Sequence, residues 1–186
     1  MGGEFRGRKL ATDDSSNIIR PTSGKVREAL FSSLGEAIVG SVFIDLYAGS
    51  GSVGLEALSR GARDVRLVEN HPKSWVLLKS NIKTLVGDVS QSERVAPIRS
   101  DALAFCRRMH TEGVRADFVF ADPPFKDDFS RLKEAALSIL APGGTSIIQF
   151  PSRNPPVWLE TALGEGLAKL KKYGESGLVF LKASQE

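Results

Sequence analysis

Two short stretches of the chain carry residue types at spacings that could do chemistry: DLYAGSGSVG, Asp45 to Gly54, and ADPPF, Ala121 to Phe125. In the first, Gly49, Gly51 and Gly54 fit G-x-G-x-x-G, a spacing that lets backbone approach a nucleotide without Cβ interference. Glu69 lies about 20 residues beyond the first glycine, where an acid grips ribose hydroxyls. Both features suit NAD and S-adenosylmethionine (SAM) alike, since each carries an adenosine ribose, and a glycine turn without a ligand is the plain alternative. Asp45 tilts the balance. A carboxylate so close to the glycines would repel a pyrophosphate and attract a ligand bearing sulfonium and ammonium groups. An Asp bonded only to backbone of the turn is the alternative there.

The second stretch adds a substrate. Pro123 and Pro124 have no N–H and stiffen their loop, so a carbonyl can face outward beside Asp122. An acid and a carbonyl together accept both N–H bonds of an exocyclic amine, and Phe125 offers a flat face for a base. A stiff loop with Phe125 in the core is the competing reading. DPP alone is weak evidence; joined to D-x-Y-x-G-x-G it points to SAM-dependent amino methylation.

These residues need a frame that brings them together, and the order of elements supplies one. VFIDLYA (42–48) is a nearly continuous apolar run ending in glycines, as expected of a strand buried on both faces. Ser52 caps the following helix, which ends at Gly61. VRLVE (65–69) is the next strand, and Pro72 opens a helix to about Leu85. RVAPIRSD (94–101) and ADFVFADPP (116–124) are further strands, separated by a helix over 102–109. A helix from Phe129 to Leu140, a Pro142-Gly143-Gly144 turn, the strand TSIIQF (145–150) and a helix around 157–164 follow. The closing runs 168–176 and 177–183 are joined too directly for a parallel crossover and pair antiparallel. The pattern predicts an α/β fold with a doubly wound, mainly parallel sheet and an antiparallel end. Ligands of such sheets bind at the carboxyl ends of the strands, where both chemical stretches fall.

Residues 1–41 read differently: basic FRGRKL, polar TDDSSN, then IRPTSGKVREALFSSL. Val26, Leu30, Phe31 and Leu34 share one helical face, with Thr22 or Ser23 as the cap and Pro21 just outside. The division expected is therefore an N-terminal basic ribbon and helix (1–41) on a compact unit of 42–186.

Composition narrows the class. The chain has 186 residues, 41% hydrophobic and 25% charged, with a net charge of +3, ordinary for a globular protein and compatible with a polyanionic partner. No apolar run approaches the roughly 20 residues of a membrane span. The N-terminus lacks a signal-peptide core, so a cytoplasmic location is expected. Cys106 is the only cysteine and reads as a small apolar residue; His71 and His110 read as surface residues. No Cys/His cluster has metal-ligand spacing, so no metal is expected.

With FRGRKL, RPTSGKVREALF, DLYAGSGSVGLEALSRGA, Glu69, DALAF, DPPF and YGESGLVFL in view, the chain resembles the bacterial 16S ribosomal RNA guanine-N2 methyltransferases of the small-subunit methyltransferase D type. RPT…REALF with DPPF is specific to that family, and D-x-Y-x-G-x-G alone marks only the broad SAM-dependent superfamily. The resemblance implies a Rossmann-like, seven-stranded SAM-binding domain with a small N-terminal hairpin that helps engage RNA. It implies Asp45, Gly49 and Gly51, beside Tyr47, at the methionine end of SAM, with Glu69 and neighbouring Asn70 at the ribose. Asp101 and Ala102 would flank adenine, and Asp122, Pro123, Pro124 and Phe125 would hold a guanine of the guanine 966 type. The family usually has Tyr at the position of Phe125, so stacking survives without a hydroxyl contact. It also commonly has a short strand ahead of the position of Phe5.

The chemistry implied is direct transfer to an exocyclic amine of ribosomal RNA, by a monomer acting on a partly assembled small subunit. The base would be reached outside its stack. Arg6, Arg8, Lys9, Arg20, Lys25 and Arg27 make the N-terminal region the expected phosphate-contacting face, against the alternative of a solvated basic surface. Three other readings stay open. They are an amino-methyltransferase for adenine N6 or cytosine N4, a non-catalytic RNA-binding protein on the same fold, and an NAD dehydrogenase. The absence of a separate target-recognition domain weighs against the first, and the intact Asp45, Glu69 and Asp122 against the second.

Overall fold

The computed structural model describes residues 1–12, 23–87, 92–124 and 127–183. Arg20, Pro21, Thr22 and Phe125 therefore lie outside the described residues.

Seven strands form one sheet: β1 (Val42–Asp45), β2 (Asp64–Glu69), β3 (Val95–Arg99), β4 (Ala116–Ala121), β5 (Leu140–Pro151), β6 (Ala168–Tyr173) and β7 (Ser176–Lys182). Their order is β3-β2-β1-β4-β5-β7-β6. β1 pairs parallel with β2 and β4, whereas β7 runs antiparallel to both β5 and β6. The antiparallel strand is thus inserted between β5 and β6, and the lysine-bearing β6 forms the edge.

Six helices cover the two faces: α1 (Gly24–Leu34), α2 (Ser52–Ser59), α3 (Pro72–Val86), α4 (Ala102–Thr111), α5 (Phe129–Leu137) and α6 (Leu159–Gly164). Alternate residues of the central strands feed two separate cores. Phe43, Phe118 and Phe120 pack with α1, α2 and α3 through Phe31, Leu55, Leu58 and Ile82. Ile44, Val119 and Ala121 pack with α4, α5 and α6 through Phe105, Leu132 and Leu159. A strand buried on both faces must be apolar throughout, which is why 42–48 carries no solvent-facing alternation. Each fully buried Phe, Ile or Leu contributes roughly 1.5–3 kcal/mol to stability.

Several local expectations are corrected. Ser52 is the first residue of α2 and not its cap; Gly51 is the N-cap, at φ +82°, with no side-chain bond. A positive φ favours glycine, so the turn's backbone rather than a hydroxyl sets the entry to α2. The fifth helix stops at Leu137, and Leu140 already pairs with Ala116. Pro142 to Gly144 does not interrupt the strand as a separate turn. It forms an irregularity inside β5, where register jumps from Ala116↔Leu140 to Phe118↔Thr145. A Cβ on Gly144 would meet the carbonyls of Ala141 and Ala116 at 2.9 and 3.0 Å, so only glycine fits that pinch.

The implied N-terminal hairpin has no strand among the described residues: Gly3–Phe5 is a single 3₁₀ turn. This segment is a strap laid over α2 and α3. Gly2 N–H donates to Glu56 Oε1 at 2.9 Å and Phe5 N–H to Ser59 Oγ at 2.8 Å, while the Phe5 ring enters the core. Helix α1 is as expected, capped by Ser23 and burying Val26, Leu30 and Phe31.

Candidate functional site

β1 and β4 are neighbours at the point where the strand order reverses, so their carboxyl ends share one crevice. Asp45 closes β1 and is 1% exposed. Its Oδ2 accepts from Gly54 N–H at 3.1 Å, while Oδ1 has no hydrogen-bond partner among the described residues. Burial, and to a lesser degree the carboxylates of Asp122 and Glu69, push its pKa from 3.8 up to about 7. Asp45, Glu69 and Asp122 thus sense one another electrostatically, although they stand on three strand ends.

The glycine turn is shaped around these acids. Glu69, at the end of β2, accepts from Gly49 N–H at 2.8 Å and from His71 N–H at 2.6 Å. A carboxylate has about four acceptor positions, so capacity for hydroxyl donors is left. A Cβ on Gly54 would meet Leu67 Cδ2 at 2.1 Å and Asp45 at 3.4 Å, so this glycine brings α2 onto the sheet. Asn70 is exposed next to Glu69. Asp101, after β3, caps α4 by accepting from Ala104 N–H at 2.9 Å, with Ala102 buried beside it.

Tyr47, two residues beyond Asp45, is half-buried. Its hydroxyl donates to Asp127 Oδ2 at 3.0 Å, and burial together with that carboxylate raises its pKa above the ordinary value. The bond joins the β1 end to the loop after β4. In that loop Pro123 is buried, Pro124 is exposed, and Pro124 O accepts from Asp127 N–H at 3.0 Å.

The cations expected to meet phosphate are divided. Arg6, Lys9 and Lys25 are exposed. Arg8 donates to the carbonyls of Leu85 and Thr84, at 3.2 and 3.4 Å, and so caps the C-terminus of α3. Arg27 pairs with the buried Glu56 at 3.7 Å. Cys106 is buried, and burial followed by Asp101 pushes its thiol up to about 12, so it stays protonated.

Three residues near the site are absent from the sequence reading. Asn81, on α3, is 2% exposed and bonds both Ser50 O and the Ala11 backbone. Its signal was a polar residue on the apolar stripe Leu78, Ile82, Leu85. Glu56 carries the same signal within SVGLEALS. Asp127 had none, since the sequence does not separate it from Asp128.

A shallow depression lined by Asp64, Arg66, Ile98 and Met109 lies toward the start of β2, away from this crevice. No helix among the described residues is long and apolar enough to cross a membrane.

Residues 1–182 match the family model described as Conserved hypothetical protein 95. The chain is 37% identical over 144 residues to ribosomal RNA small subunit methyltransferase D of Escherichia coli K12, covering 77% of this chain and 67% of that one. It is 39% identical over 140 residues to the protein of that name from Haemophilus influenzae, covering 75% and 68%. A solved structure of a hypothetical protein from Thermus thermophilus superposes with a TM-score of 0.79 at 28% identity, over 98% of this chain and 97% of that one. The sheet order, the crevice and these relatives agree: the chain belongs to the ribosomal RNA small subunit methyltransferase D family and has its Rossmann-like methyltransferase fold.

Proposed function

We propose that the chain transfers the methyl group of S-adenosylmethionine to the exocyclic N2 of a guanine in 16S ribosomal RNA, of the guanine 966 type. The observation that carries this reading is Asp45: a buried carboxylate whose Oδ1 has no hydrogen-bond partner among the described residues, within electrostatic reach of Asp122 and Glu69. Such a site favours a cation and disfavours a pyrophosphate, which sets the NAD reading aside. The family relationship supports ribosomal RNA as the substrate class.

The residues fit the cofactor. Asp45 and the turn Gly49 to Gly51 would hold the methionine end, Glu69 and Asn70 the ribose, and Asp101 with Ala102 the adenine. Bound there, SAM supplies a methyl group on an already activated leaving group. Pro124 O already accepts from Asp127 N–H, and the second acceptor proposed for the cradle is the Pro123 carbonyl. Asp122 and that carbonyl would accept the two N–H bonds of N2, turn them out of the ring plane and localise the nitrogen lone pair. As the new C–N bond forms, the methyl–sulfur bond would break and leave a neutral thioether, and the surplus proton on N2 would pass along its hydrogen bond to Asp122 and out to solvent. Phe125 would stack on the base. Positioning accounts for most of the acceleration.

Residues 1–41 serve as the RNA-engaging extension of the unit 42–186, with Arg6, Lys9 and Lys25 as its exposed cations and Arg20 in the same segment. The substrate is a partly assembled small subunit in the cytoplasm, met by a monomer. The experiment is to map modified nucleotides in 16S ribosomal RNA from a strain lacking the gene. Loss of one N2-methylguanine, restored by the gene, supports the reading. Full methylation in that strain contradicts it.

A further inference from the structure

Asn81 makes its bonds to two segments that have no other direct link through it: the N-terminal strap and the glycine turn. Its Nδ2 donates to Ser50 O at 2.8 Å and to Ala11 O at 3.0 Å, and its Oδ1 accepts from Ala11 N–H at 2.9 Å. At 2% exposure the amide is screened from water, and Ser50 is itself 4% exposed. Ser50 O therefore loses a bond without replacement if the amide is removed, at a cost well above that of a surface hydrogen bond, while Ala11, on the exposed strap, loses both of its bonds to Asn81.

The strap has further anchors, all on the far side of Asn81 from the crevice: Gly2 on Glu56, Phe5 on Ser59, and Arg8 on the end of α3. Ala11 is the last of these ties before the segment that carries Arg20, and it is the one that shares a side chain with the turn. The turn in turn positions Gly49 N–H on Glu69. A chain of direct bonds thus runs from strap to Asn81, to Ser50, to the Gly49 amide and Glu69.

We propose that Asn81 is a positioning residue that couples docking of the N-terminal strap to cofactor binding at the glycine turn. The proposal rests on the cofactor reading above. A turn held in its binding shape binds SAM better, and by thermodynamic reciprocity bound SAM tightens the strap to the same degree. Arg6 and Lys9, the exposed cations of the strap, are thereby held in place preferentially by the cofactor-loaded protein.

The test is calorimetric SAM affinity together with hydrogen exchange of residues 1–12, with and without SAM, on the full chain. Ala11→Pro removes the strap's N–H donor and leaves the Asn81 bond to Ser50 intact. It should weaken SAM by about three- to tenfold and abolish SAM-dependent protection of the strap. Asn81→Ala should weaken SAM by about tenfold or more, with the same loss of protection. Asn81→Asp keeps the acceptor for Ala11 N–H but loses the donor to Ser50, so it should weaken SAM while the strap keeps part of its basal protection. Leu85→Ala, on the same helix and outside this bond chain, supplies a destabilised reference that should retain SAM-dependent protection. Wild-type SAM affinity in both Asn81→Ala and Ala11→Pro, or a strap indifferent to SAM in the wild type, overturns the coupling. Failure of the wild type to bind SAM at all overturns the cofactor reading, and the coupling with it.

Discussion

The two sides of the crevice are built to different standards. The glycine turn after β1 is gripped from three elements: Asp45 on Gly54, Glu69 on Gly49, and Asn81 on Ser50, each within 3.1 Å and each at least half-buried. The loop after β4 closes on itself through the Pro124–Asp127 backbone bond and is joined to the β1 end by the Tyr47 hydroxyl on Asp127. On the proposed reading, the first arrangement holds a flexible cofactor in one pose. The second suits a base that has to leave a nucleic-acid stack before it can enter.

The sharpest way to break this contrast is Asp122→Asn. The change keeps shape but turns an acceptor into a donor that opposes an N–H, so single-turnover methyl transfer should fall roughly 10² or more. A near wild-type rate would make Asp122 structural. Next in size is Glu69→Ala, which should weaken SAM by about 1–3 kcal/mol in calorimetry, the cost of leaving Gly49 N–H and the ribose unsatisfied. Tyr47→Phe sharpens the comparison at its joint. Losing the bond to Asp127 should lower the transfer rate about tenfold or less, with SAM affinity nearly unchanged. The reverse split would move Tyr47 to the cofactor side.

A pH dependence of stability is the effect furthest from the transfer step. Asp45 is raised from 3.8 to about 7 in the folded chain, so the folded state holds a proton that the unfolded state releases. Its contribution to stability is full below 3.8 and is lost as pH rises to about 7. Thermal melts of the ligand-free protein should show this loss, and Asp45→Asn should flatten it. A cationic ligand favours ionised Asp45, so SAM binding near neutral pH should release a proton, seen as a buffer-dependent heat.

Much of this was legible in the sequence, for physical reasons. The nearly continuous apolar run 42–48 had to hold a strand buried on both faces, which the fold forms over the shorter span Val42–Asp45, with the glycines following at the switch point. The acid at Glu69 was found by spacing alone. What escaped depended on distant partners. Ser52 looked like a cap because hydroxyls cap helices, but the positive φ of Gly51 was already shaping the turn. The pinch at Gly144 was invisible, since it exists only where β5 lies beside Ala116. Arg8 and Arg27 read as phosphate-contacting cations, and their partners within the chain, the carbonyls ending α3 and buried Glu56, show only in the fold. Asn81 was visible as an anomaly on an apolar stripe, but its partners lie 31 and 70 residues away.

The division of labour is tested most directly by titrating SAM into the Asp122→Asn and Glu69→Ala proteins side by side. The account predicts that Asp122→Asn binds SAM within about threefold of wild type while Glu69→Ala loses about 1–3 kcal/mol. An Asp122→Asn protein that loses SAM as severely as Glu69→Ala would contradict it.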